Sequence, residues 1–180
     1  MANTWFATFP DVAIGTANKS HADLWNPSGS GRVIRVYKIY ALNNYRATGI
    51  NAGMNLYHIA RITALTVAGT VVTPVRADTS LENWAATSCT AHYASTVTEG
   101  SVFRRFIRSS DDVGMRTVTQ FNYWGSIHEM AKVWDSGCND DAVLQPIVIR
   151  EDSGIHIKYL SGKDSTGTLT VVMEFTTDTT

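Results

Sequence analysis

Cys89 and His92 stand three apart in the run CTAH, His128 and Glu129 are adjacent in IHEMAKV, and His58 and His156 lie in apolar stretches. Thiolates, imidazoles and carboxylates bind transition metals or move protons, so their spacing decides which chemistry is open. Successive side chains of a strand face opposite ways, and a separation of three sends Cys89 and His92 apart. No second pair with zinc-type spacing follows, because Cys138 stands alone in SGCND. A zinc-protease helix carries a second histidine four residues after the first; here that position is Lys132. His58 shares a strand face with Leu56, Ala60 and Ile62 and reads as a core or interface histidine rather than a base. The sequence therefore leads us to expect no metal, no cofactor and no catalytic residue.

Other reactive settings fare no better. No Gly-x-Ser-x-Gly elbow occurs. Asp111–Asp112 and Asp140–Asp141 fall in turn-like contexts, where aspartates hydrogen-bond locally. The loop NPSGSGR lacks the lysine, and the following helix, that a phosphate-binding loop requires. It is expected to be a turn, with Ser28–Gly31 launching a strand at Arg32. The run VFRRFIR, Val102 to Arg108, mixes arginines with aromatics. This reads as a strand whose charges meet Asp111, Asp112 or a neighbouring subunit, rather than as a stacking surface for bases. Five tryptophans and seven tyrosines keep a sugar-binding surface open, although Trp84, Trp124 and Trp134 read first as core or interface anchors.

Short β-prone runs divided by turn-forming clusters must position these residues. Strands are expected near Val33–Tyr40, Asn55–Thr63, Val71–Val75, Ala91–Val97, Ser101–Ile107, Thr117–Tyr123, Val143–Arg150, Ile155–Leu160 and Thr168–Phe175. Close turn signals and the lack of alternating long helices predict an all-β antiparallel sandwich. Parity places Ile155, Ile157 and Tyr159 on one face and His156 and Lys158 on the other. It likewise puts Leu169, Val171, Met173 and Phe175 inward, while Pro146 marks a strand edge or bulge. Thr79 with Glu82, and Ser126 with Glu129, have capping-box spacing and predict two short helical turns, the second reaching Trp134, although Ile127–Trp134 also works as a strand. Residues 1–31 contain Trp5, Phe6, Phe9 and Trp25 without a long strand pattern. We read them as an aromatic arm and loop, and residues 32–180 as a single sandwich domain, with the four aromatics as candidate interface anchors.

The 180-residue chain is long enough to bury about 70% of its surface without staples. Fifteen basic and sixteen acidic residues leave a net charge of −1, which disfavours nucleic acid as a partner. No run is apolar enough to span a bilayer, so no membrane partner is expected. The opening MANTWFATFPDVAIG has neither a basic leader nor an apolar core, so no signal peptide is expected and synthesis in a cytosol follows. There Cys89 and Cys138 would stay reduced and read as small buried hydrophobes, although pairing stays open.

Three segments together, LWNPSGSGRVIRVYKIYAL, YHIARITALTVAGTVVTPVRADTS and LQPIVIREDSGIHIKYLSGKDSTGTLTVVMEF, resemble small structural proteins of tailed-bacteriophage particles. The resemblance runs in order from Leu24 to Phe175 and is weakest over Ala91–Trp134. It implies a virion auxiliary protein of the capsid decoration, cement or head-fibre type, with a jelly-roll-like β-sandwich. It further implies a homo-oligomer, often a trimer, docking on the major capsid or another virion protein. A carbohydrate- or receptor-binding sandwich module, with a glycan as partner, is the alternative.

Overall fold

The structure, a computed structural model, describes residues 3–13, 19–44, 54–80, 82–109, 132–136, 145–162 and 168–179. Two antiparallel sheets pack face to face as a sandwich, each of six strands among the described residues. In chain order the strands are β1 (Asn3–Ala13), β2 (Ser20–Asn26), β3 (Arg32–Asn44), β4 (Met54–Val67), β5 (Thr70–Val71) and β6 (Val75–Arg76). After a 3-10 turn at Trp84–Thr87 come β7 (Thr90–Tyr93), β8 (Thr96–Ser109), β9 (Lys132–Asp135), β10 (Ile147–Ile149), β11 (Ser153–Gly162) and β12 (Thr168–Thr179). The first sheet runs β10-β3-β12-β1-β6, with β9 also paired to β3. The second runs β5-β7-β2-β11-β4-β8. No helix of the described residues is long and apolar enough to cross a membrane.

The inner faces follow the period of two that the sequence carries. Leu169, Val171, Met173 and Phe175 of β12 are buried, as are Ile155 and Ile157 of β11. They meet Ile34, Val36, Ile39 and Ala41 of β3 and Ala22, Leu24, Tyr57 and Ile59 of the facing sheet. Trp84 closes the core, its ring edge-on to Trp5 at 5.4 Å and to Phe175 at 5.6 Å.

The expected arm is instead an integral part of both sheets. β1 pairs with β12 from Asn3–Thr177 to Ala13–Thr168, with an irregularity between Phe9 and Val12 at Pro10–Asp11. That irregularity interrupts the alternation, which is why the segment does not read as one long strand. β2 is equally internal, between β7 and β11. The capping box at Thr79 also gives way: Asn83 precedes the 3-10 turn without a side-chain cap. Glu82 pairs with Arg32 at 2.6 Å. Trp134 lies on strand β9 opposite Ile39, the strand alternative rather than the helical one; the start of that expected turn, Ser126–Glu129, lies outside the described residues, as does Thr117–Tyr123.

Two expected strands are each divided. Val71–Val75 becomes β5 and β6, in different sheets, because Pro74 cannot donate to a ladder. Ala91–Val97 is broken at Ala94, whose φ is +60°. There the chain folds onto β2, with Ala94 N–H donating to the Ser20 carbonyl at 2.7 Å.

Candidate functional site

The four aromatic candidates separate by burial. Trp5 is 1% exposed and Phe9 fully buried, both inside the molecule's own core. The Trp5 Nε1–H donates to Thr177 Oγ1 at 3.0 Å, so even its polar atom is satisfied internally. Trp25 is half-buried on β2, opposite Thr90 and Gly154. Phe6, 39% exposed and opposite Val75 at the sheet edge, keeps a surface position. The four do not form one patch, because alternation along β1 sends Trp5 and Phe9 inward and Phe6 outward.

The glycine-rich loop between β2 and β3 does cradle an anion, but the anion is the protein's own. Gly29 N–H donates to Glu151 Oε2 at 3.1 Å and Gly31 N–H to Oε1 at 2.7 Å. Both glycines have positive φ, +75° and +64°, which turns their N–H groups toward one carboxylate. Asn26 supports the loop from below, its Nδ2 donating to the Arg32 carbonyl at 2.8 Å and its Oδ1 accepting from Ser30 Oγ.

Cys89 and His92 diverge. The Cys89 thiol is buried and reaches Asn26 Oδ1 at 3.4 Å, and burial, opposed by the Thr87 hydroxyl, pushes it up to about 11. His92 Nδ1 lies 3.1 Å from Asp23 Oδ1, both groups buried. Asp111, Asp112, Trp124, His128, Glu129, Cys138, Asp140 and Asp141 lie outside the described residues.

Among the described residues, a group of titratable side chains gathers where β11, β4 and β8 run side by side. Ile155, Ile157 and Tyr159 face the core, so His156 and Lys158 project from the opposite face. Register sets Lys158 opposite His58 and His156 opposite Ala60. On the far side of β4, β8 slips register at four points, one of them between Val102 and Glu99, where Gly100 interrupts the strand. Glu99, next to that glycine, reaches across to the histidines. Its Oε2 lies 3.2 Å from His58 Nε2, its Oε1 lies 4.0 Å from His156 Nε2, and the Lys158 ammonium donates to Oε1. The two imidazole rings are 5.7 Å apart, edge to face.

Charge distribution in this cluster is lopsided. Burial holds His156 down at about 4 against the pull of Glu99, and lowers His58 for the same reason. Burial alone would raise Glu99, but the Lys158 hydrogen bond and charge, together with the pull of the two imidazoles once they are protonated, outweigh it and leave the carboxyl below its ordinary value. At neutral pH the site therefore holds two neutral imidazoles beside an ionised carboxylate, the protonation state in which these groups ligate metals. Both ring nitrogens of His156 and Nε2 of His58 are buried without a hydrogen-bond partner among the described residues. The sequence points to His58 as a core or interface histidine and to His156 with Lys158 on the non-core face. It does not join them to Glu99, which falls between two expected strands; Gly100 inside a β-prone run is the signal that locates it.

No family model, no curated protein and no solved structure matches the chain. The chain is a two-sheet antiparallel β-sandwich with a buried polar cluster on one sheet, and its function rests on that geometry and on the sequence.

Proposed function

We propose that this protein is a non-enzymatic structural component of a virus particle, a decorating or stabilising sandwich that works through contacts with further copies of itself. The observation that carries the reading is β8. It is the last strand of its sheet among the described residues, and on it Val102 and Ile107 are 44% and 55% exposed. Phe103 and Phe106 lie beneath them, partly buried against the core. An outer strand with exposed β-branched side chains favours strand addition or side-chain packing by another subunit. Arg104 and Arg105, both exposed, stand side by side between these apolar residues and limit pairing to a partner that can meet their charge. A second copy is the partner of choice, because in a closed homo-oligomer one contact, β8 against a complementary surface of the next subunit, repeats around the ring. Bacteriophage capsid decoration, with trimers and docking on the major capsid protein, is the specific form that the resemblance implies.

The mechanism is multivalent burial. Each copy hides a modest apolar strip, and many copies held on one lattice convert weak contacts into stable attachment. Light scattering of the purified chain across a concentration series tests the reading. A closed oligomer that Val102→Lys with Ile107→Lys shifts toward monomer, with the melting temperature retained, is the expected result. A wild-type chain that stays monomeric at every concentration, or a double variant that assembles like wild type, overturns β8 as the assembly edge.

A further inference from the structure

We propose that His58 Nε2, His156 Nε2 and the Glu99 carboxylate form a binding site for one divalent transition-metal ion of the zinc class, with the Lys158 ammonium as the competing occupant. Three observations carry it, each independent of the assembly reading.

The first is distance. The ligand atoms all lie within 4.8 Å of one another. Ligands at zinc's usual bond lengths around a tetrahedral ion are separated by about 3.3 Å. His58 Nε2 and Glu99 Oε2 stand at 3.2 Å without the alignment of a hydrogen bond. His156 Nε2, at 4.0 Å from Oε1, needs a small side-chain movement to complete the set.

The second is the unmet demand of His156. This side chain is fully buried, and neither ring nitrogen has a partner among the described residues. Burying an imidazole in that condition is costly, and a metal on Nε2 removes half of the problem. The other half has a candidate answer one strand away. Asp23 is directly opposite His156 in the β2–β11 ladder and is itself buried, with Oδ2 unpartnered among the described residues while Oδ1 faces His92. A carboxylate behind a metal-ligating imidazole is the usual second partner of such histidines.

The third is the donor set. Two imidazoles and one carboxylate suit zinc and its neighbours, whereas calcium and magnesium require oxygen ligands throughout. Three protein ligands leave a fourth position for water or for a donor from outside the chain. The three ligands come from three adjacent strands, β4, β8 and β11, so a bound ion would pin the outer strand β8 to its sheet.

Lys158 makes the proposal specific. Its ammonium already neutralises Glu99, and an ion cannot share that carboxylate with it without strong repulsion. The side chain is long and partly exposed, so metal binding releases it to solvent with its proton retained. Arg105, opposite His58, adds positive potential that the ion must also overcome.

The test is titration of the metal-free full chain with zinc alone, against a chromophoric chelator. Cobalt(II) absorption serves as the readout of coordination. Wild type is expected to take up one equivalent per chain, and Lys158→Met to bind it about tenfold more tightly because a competing cation is gone. Glu99→Gln, at a partly exposed position that tolerates the change, is expected to lose both the equivalent and the cobalt bands; His156→Gln should do the same. Failure of both wild type and Lys158→Met to bind stoichiometrically overturns the site. So does unchanged binding in Glu99→Gln, or weaker binding in Lys158→Met. Oligomer size, read separately, reports on β8 and does not decide this question.

Discussion

His21 shows how one residue ties stability to pH. It is the extra residue where β2 slips against β11, between Ser20 opposite Lys158 and Ala22 opposite Ile157. A bulge redirects a side chain, and here the imidazole packs on Tyr57 at 5.8 Å and on Tyr159 at 6.5 Å. Burial, only partly offset by the Ala13 backbone, lowers it from 6.5 to about 4. An unfolded chain takes up this proton near pH 6.5, the folded one near 4. Between those values the unfolded state binds more protons, so stability falls as pH drops. Above pH 6.5 the residue adds no pH dependence, and below about 4 the loss is complete, on the order of 3 kcal/mol. Replacing His21 with Gln should offset stability at every pH but remove this part of the acid loss. Urea midpoints at about pH 7 and about pH 4.5 check it, and an unchanged difference between them would rule His21 out as the source.

At the scale of elements, the connection between β2 and β3 is fixed by the turn that joins β10 to β11. Two N–H groups of the glycine loop share the Glu151 carboxylate, which lies in that turn. The contact is exposed, so Glu151→Ala should cost only about 1 kcal/mol. Gly31→Ala meets no neighbouring atom, yet its φ of +64° should make it cost about as much. Thermal melts of the two variants, and of the pair combined, measure the clamp, and losses that simply add would show that the two residues do not act together. The turn itself is legible in NPSGSG, but its partner is not, since Glu151 lies far along the chain and nothing local marks it. The same physics separates what the sequence reveals elsewhere. Period-two runs such as Leu169–Phe175 disclose their inner face directly, because burial repeats with the pleat. Breaks at Pro10, Ala94 and Gly100 defeat that reading, because each interrupts the alternation on which it depends. The His58–Glu99–His156 cluster stays hidden for a related reason: its members meet only once three strands have found their register.

For the molecule as a whole, the placement of the aromatic residues separates what holds the fold from what faces outward. Trp5 pairs across the ladder with Phe175, stands edge-on to Trp84 and donates to Thr177, so it joins β1, β12 and the 3-10 turn. Removing such a side chain leaves a cavity that close-packed neighbours fill only in part, and it strips the Thr177 hydroxyl of its donor. Trp5→Ala should therefore cost about 3–5 kcal/mol, a large share of the stability of a single domain. Phe6→Ala, one residue away, should cost about 1 kcal/mol or less, because its ring is partly in water already. Denaturant unfolding of the two variants side by side gives the contrast. If Trp5→Ala retained wild-type stability and altered only association, Trp5 would be an interface anchor despite its burial. The expected outcome assigns Trp5 to the core, where its loss acts by unfolding the subunit, and leaves Phe6 as the member of the pair with a surface position.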